Sequence, residues 1–371
     1  MISAPTGHEG RRDWVRLART PSVGPVTFFQ LLTRFGSATA ALDALPELAR
    51  NAGRKHPLVA PPADRADREL DQTDRFGARL LLASDPDFPH LLKALPAPPP
   101  LLTALGRSEL LARPTVAIVG ARNASAAGRK LARDIAADLS RAGYVTVSGL
   151  ARGVDGEAHA ASLAGGTVAV LGGGIDHVYP PQHDRLYAAI AEKGLILSES
   201  PFGHRATAKD FPRRNRLITG CSLGVVVVEA TERSGSLISA RTAGEQGREV
   251  MAVPGSPLDP RAAGTNRLLK EGAALVRDAR DVLDCLAGLA RRDLAAPPPP
   301  EFENAHDASP LPEAQVAAVR DALTPYPMPV DEIARAAGLG AARCAAILVE
   351  LERAGDAATL PGALAMRVIE P

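Results

Sequence analysis

The sequence predicts an α/β protein built on a mostly parallel sheet, on three observations. Six short β-branched runs recur between residues 115 and 255, with helical segments between them. Each run is apolar almost throughout rather than alternating, as in a strand buried on both faces. Helical segments precede and follow this region, set off by polar or proline-rich stretches.

Taken in order, residues 13–50 hold DWVRLART, FFQLLTRF and AALDALPELAR, with apolar side chains at helical spacing. Pro21-Ser22-Val23-Gly24-Pro25 makes a tight turn between the first two. Residues 51–75 are polar and read as surface loop or short helix, closing an N-terminal helical domain over 1–75. From about residue 80 a strand and a proline-rich lead-in open the second domain, 76–290. Its strands are expected at 115–120, 144–149, 167–172, 195–200, 223–230 and 249–255. A helix over 125–142 lines up Leu131, Ile135 and Leu139, with Ser125 as N-cap and Gly143 as its stop. Residues 291–310, with four consecutive prolines, form a semi-rigid linker. In 311–371, helices at 313–323, 330–337 and 341–354 precede a hairpin around Pro361-Gly362, the winged-helix order.

Composition limits the function classes. A chain of 371 residues holds two or three domains at roughly 100–200 residues each. The 43 Lys and Arg nearly cancel the 42 Asp and Glu, which excludes a uniformly basic protein but leaves room for a local patch. Cys221, Cys285 and Cys344 stand far apart without a CxxC, so neither a disulfide framework nor a thiolate metal site follows. The N-terminus has no apolar signal segment and no run of about 20 apolar residues occurs, so a cytoplasmic protein without membrane attachment is expected.

In an open α/β sheet, ligands bind beyond the carboxyl ends of the strands. There the sequence places VGARNAS, SGLARGVD, LGGGIDHVYP, SESPFGHRATAKDFPRRNR and EATERSGSLISA, where Gly beside Ser, Arg or Asn suits anion capture. GxGxxG and GxxxxGK[ST] are both missing, which disfavours a nicotinamide or ATP cofactor. Residues 202–216 carry Arg205, Lys209, Arg213, Arg214 and Arg216 against the single acid Asp210, with Phe211 among them. Cations plus an aromatic ring are what an unpaired nucleic acid strand needs: charge for its phosphates and a face for its bases. The segment is expected to face Arg122 and the Ser234-Gly235-Ser236 turn, and Ser125 of VGARNAS counts with them. The alternative is a solvated basic loop with Phe211 turned inward. Asp155 and His159 read as a helix-terminal acid and a packed histidine, and His177, His183, Asp176 and Asp184 lack the geometry of a metal site. No serine has the neighbouring histidine that a nucleophile needs. No catalytic residue, metal or cofactor is expected.

The motifs VAIVGARNAS, VSGLARGVDGEAHAASL, GGGIDHVYPPQH, LILSESPFG, FPRRNRLITGCS, VVVVEATERSGSLISARTAGEQGREVMAVPG and GTNRLLKEGA together resemble the DNA-processing protein A family (DprA, or Smf) over about residues 80–290. The flanking regions resemble its sterile-alpha-motif-like or helix-hairpin-helix domain and its winged-helix appendage. The resemblance implies an extended Rossmann domain and a non-enzymatic role. Such a protein binds incoming single-stranded DNA in natural transformation, loads RecA onto it and dimerises. Carried over by residue, the DNA pocket would comprise Arg122, Lys209, Phe211, Arg214, Asn215, Arg216 and Ser234-Gly235-Ser236, although the loop upstream of Lys209 differs in length from the family pattern. The rivals are a nucleotide N-glycosidase-like enzyme, whose turn would need a glutamate three residues on where the nearest, Glu245, is too far along the helix, and a nucleotide-sensing scaffold. GAARCAAILVELERAG is poor in cations for a groove-reading helix and reads as a packing or protein-contact element.

Overall fold

Four helices open the chain: α1 (Gly7–Ala18), α2 (Pro25–Phe35), α3 (Ala38–Asn51) and α4 (Ala63–Arg75). The computed structural model describes residues 5–51, 59–293, 312–326, 328–354, 356–360 and 364–368. Pro25 sits in the first turn of α2, where its missing N–H costs nothing. The α1 stripe of Trp14, Val15 and Leu17 is buried, with Trp14 edge-on to Phe28 at 5.0 Å. The Trp14 indole N–H donates to the Pro100 carbonyl at 2.9 Å, and Arg11 donates to the Leu80 carbonyl at 2.6 Å. These helices share one apolar core with the sheet.

The sheet region runs β1 (Arg79–Leu82), α5 (His90–Lys93), β2 (Leu101–Gly106), β3 (Thr115–Val119), α6 (Ala126–Arg141), β4 (Val145–Ser148), α7 (Val154–Ser162), β5 (Thr167–Leu171), α8 (Asp184–Lys193) and β6 (Leu195–Ser198). It continues with α9 (Asp210–Gly220), β7 (Gly224–Val227), α10 (Ser236–Glu245), β8 (Glu249–Ala252), α11 (Ala263–Lys270), β9 (Ala274–Leu275) and α12 (Ala279–Asp293). The strand order is β1-β2-β6-β5-β4-β3-β7-β8-β9, parallel from β6 to β9, with β1 and β2 added antiparallel at one edge. All six expected strands are present. LLTALG, read within a lead-in, forms β2, and two-residue β9 escaped notice because it is too short to show a period.

Alternate residues of each strand enter different cores. Ala117, Val119, Val225 and Val227 face the core shared with α1 and α10, whereas Val116, Ile118 and Val226 face α6 and α12. Both faces are covered, which is why the strands read as unbroken apolar runs. Ser125 caps α6 by accepting the Gly128 N–H at 2.9 Å, and Gly143 ends it with φ +91°.

The smaller unit holds α13 (Glu313–Ala322), β10 (Met328–Pro329), α14 (Val330–Ala336), α15 (Ala341–Ala354), β11 (Ala357–Leu360) and β12 (Leu364–Arg367), with antiparallel sheet order β10-β12-β11. This is the expected winged-helix arrangement. Its core is Val319, Ile333, Cys344, Ile347, Leu348 and Leu351. The expected hairpin tip, Pro361-Gly362, lies outside the described residues, as does the expected linker apart from 291–293, which belong to α12.

Candidate nucleic-acid interface

In this topology α6 follows β3 to one side and the chain crosses back to β7 on the other, so the switch point lies between β3 and β7. That crevice is filled by the protein's own carboxylate. Glu229, just beyond β7, accepts the Ser125 backbone N–H at 2.9 Å and the Ser125 hydroxyl at 2.5 Å. A negative group at a helix N-terminus satisfies otherwise unpaired N–H donors and the helix dipole. Gly128 is glycine because a Cβ there would overlap the Glu229 carboxylate. Ser125 is thus held in place by Glu229 and α6, and its hydroxyl hydrogen is already donated.

The open cavity lies to one side, over the carboxyl ends of β4 and β5. It measures about 230 Å³ and is walled by Arg122, Arg152, His177, Tyr179, Gln182, Phe211 and Arg214, with Gly149, Gly172 and Gly173 among its lining residues. Arg214 on α9 is only 6% exposed. Its guanidinium donates to the carbonyls of Gly149 at 2.6 Å and Val170 at 2.7 Å, and its Nε donates to the Asn215 side-chain oxygen at 3.2 Å. A side chain on residue 149 would overlap this guanidinium, so that glycine makes room for an arginine. Burial lowers the Arg214 pKa to about 10, with buried Asp155 opposing the shift and Arg122 adding to it. Arg214 therefore stays charged at neutral pH and gives the cavity a permanent positive wall.

Asp155 accepts the backbone N–H groups of Gly149 (3.2 Å) and Ala151 (3.3 Å), fixing the loop beside Arg214, while burial raises its pKa. His159 is the packed histidine that the sequence suggests: its Nδ1 lies 2.7 Å from the Thr167 hydroxyl, and burial drives its pKa down to about 3. Phe211 is half-buried. The Arg122 guanidinium carbon lies over its ring at 5.0 Å and that of Arg214 at 5.8 Å, both within cation–π range. The Tyr179 ring stands 5.8 Å away at 44°.

Of the residues singled out in sequence, Arg122, Phe211 and Arg214 converge on this cavity. The others are placed elsewhere. Arg216 donates to Glu199 at 2.5 Å and Arg213 approaches the same carboxylate at 3.2 Å, so two cations of the basic segment are matched by an acid lying before it. Lys209 is exposed ahead of α9 and is not among the lining residues. Asn215 bridges to the α10 turn, donating to the Gly235 carbonyl at 3.4 Å, and the Ser234 and Ser236 hydroxyls bond each other at 2.7 Å. That turn also stands outside the cavity lining. Sequence reasoning missed Tyr179, Arg152 and Gln182. The signal for Tyr179 was an aromatic before Pro180-Pro181 at a strand's carboxyl end, in a stretch read for anion capture by its glycines and as a metal site by its histidines, but not for its ring. Among the described residues no three His, Cys, Asp or Glu side chains gather as metal ligands.

Fold and site together define a Rossmann-type α/β protein with a cationic, aromatic-walled pocket at the carboxyl edge of its sheet. Residues 79–287 match the family model for DNA recombination-mediator protein A, 8–71 that for the DprA-like N-terminal HHH domain, and 296–363 that for the DprA winged helix domain. The chain belongs to the DNA recombination-mediator protein A family. Protein Smf of Escherichia coli is 40% identical over 289 residues, 76% of either chain. DNA processing protein DprA of Bacillus subtilis is 42% identical over 211 residues, covering 56% of this chain and 71% of that one. The crystal structure of DprA from Streptococcus pneumoniae superposes with a TM-score of 0.64 at 34% identity, covering 73% of this chain and 97% of that one. A Helicobacter pylori DprA structure described for its single-stranded DNA binding mode gives 0.53 at 30% identity, covering 57% and 96%.

Proposed function

We propose that this protein binds single-stranded DNA, without regard to sequence, at the Arg122–Phe211–Arg214 pocket, and passes it to a RecA recombinase during transformation. One observation carries the reading: the guanidinium groups of Arg122, Arg152 and Arg214 and the rings of Tyr179 and Phe211 converge on one cavity at the carboxyl edge of the sheet. Charge holds the phosphates and a ring holds a base, a combination indifferent to base identity. The reading is supported by the single-strand binding described for the Helicobacter pylori relative and by the family's description as a recombination mediator. In this reading the role is non-enzymatic, and the protein acts in the cytoplasm as a homodimer.

Among the described residues lining the cavity none carries a carboxylate, so an N-glycosidase would have nothing there to stabilise positive charge developing on a ribose. The deciding experiment compares single- and double-stranded oligonucleotides of mixed sequence in a gel shift with the full chain. Preference for the single strand, with no free base released from nucleoside monophosphates, is the expected result. Equal affinity for both forms, or release of base, overturns it.

A further inference from the structure

The most basic segment of the chain is partly neutralised from outside itself. Glu199, the second residue after β6, is buried, and its carboxylate takes Arg216 at 2.5 Å and Arg213 at 3.2 Å. Its backbone is pinned from the N-terminal helices. Arg19 donates to the Glu199 carbonyl at 2.8 Å and is itself held by Glu69 of α4 at 2.6 Å. The two cations that Glu199 draws are not alike. Arg216 is largely buried and also donates to the Ala97 carbonyl at 3.4 Å. The Arg213 side chain is 61% exposed, and Glu199 is its only polar partner among the described residues. Exposed Lys209 lies four residues earlier, on the same face at the start of α9. Arg213 thus stands beside a free cation while its own charge is turned to a fixed, buried acid. Letting it go would strip one of two counter-charges from a carboxylate already removed from water.

We propose that Glu199 is an affinity-limiting residue: it withholds Arg213 from a strand that Lys209 meets, so that the protein can release what it has bound. This rests on the reading of the pocket as a single-strand site. The consequence is a gain on removal. With the acid neutralised, Arg213 joins Lys209 and neutralises one further phosphate, so binding tightens and becomes more sensitive to salt.

The test uses the full chain and a fluorescent oligothymidylate of about 15 nucleotides, near the upper single-site range for single-strand binding folds. Glu199→Gln keeps an oxygen for Arg216 and removes the charge. It is expected to steepen the slope of log K against log salt by about 0.7. For a contact that contributes nothing at 1 M salt, that is binding about 8-fold tighter at 50 mM and about 3-fold tighter at 200 mM. Arg213→Ala, which leaves the buried acid in place, is expected to bind with the wild-type slope. The double variant Glu199→Gln/Arg213→Ala is expected to lose the gain. The assignment is overturned if Glu199→Gln binds no tighter than wild type, if Arg213→Ala alone flattens the slope as Arg122→Ala does, or if the double variant keeps the gain. Wild-type protein that fails to bind the oligonucleotide instead overturns the single-strand reading beneath it.

Discussion

Replacing Arg216 by alanine separates charge that is present in the sequence from charge available to a ligand. Arg216 lies in the most basic segment of the chain, yet its guanidinium is committed to Glu199, which Arg213 also approaches. Arg122, Arg152 and Lys209 have no ion-pair partner among the described residues and are exposed. If these three neutralise phosphates, log K for a single strand falls with log salt at a slope of about −2.1, or about 20-fold between 50 and 200 mM. Removing Arg122 leaves two contacts, a slope of about −1.4 and a loss of about 7-fold over the same range. Removing Arg216 takes away a cation whose field Glu199 already offsets, so the slope stays within about 0.2 of wild type. Fluorescence anisotropy with an oligothymidylate over a salt series reads all three proteins. Equal flattening in Arg216→Ala and Arg122→Ala would show that Arg216 leaves Glu199 for a phosphate, and the account of the site given above would fail.

Three other expectations follow from the geometry. Arg214→Ala strands the Gly149 and Val170 carbonyls in a buried setting and should cost about 3 kcal/mol in urea unfolding followed through Trp14; an unchanged midpoint contradicts its place in the wall. Ser125→Ala removes the α6 cap, so it should cost about 1 kcal/mol in the same assay while leaving oligonucleotide affinity as in wild type. His159 has a folded pKa of about 3 against an ordinary 6.5, so the unfolded chain binds the extra proton between those values. Its contribution to stability is therefore complete above pH 6.5 and declines as pH falls toward 3, by up to roughly 1.4 kcal/mol per pH unit. His159→Gln should flatten this acid limb relative to wild type, a difference in which the opposing contribution of Asp155 cancels; parallel limbs would refute it.

Local chemistry carried much of the fold. The β-branched runs, the Ser125 cap and the Gly143 stop each depend on neighbours within a few residues, and each appears where the sequence places it. Features that depend on distant partners were harder to read. The packing of the N-terminal helices on the sheet was not legible, because nothing in the sequence around Trp14 announces that its indole will meet the Pro100 carbonyl. In the site, Phe211 and Arg214 were legible because charge and ring lie within one short segment. The pairing of Arg216 was not legible because its counter-charge, Glu199, lies before the basic segment at a strand end. Ser125 was read as an anion ligand because the chain brings Glu229 to it only through the pairing of β3 with β7. The place of Tyr179 in the cavity wall went unnoticed because the ring it stands beside, Phe211, lies 32 positions further along the chain.

The carboxylate lodged at the start of α6 also bears on what reaches this protein in a cell. The amide cradle that in related folds grips ATP or a dinucleotide is permanently filled by an internal tenant. Free nucleotides therefore find no open amide cradle at this switch point, and any ligand of the sheet's carboxyl edge has to be held by side chains of the neighbouring pocket instead.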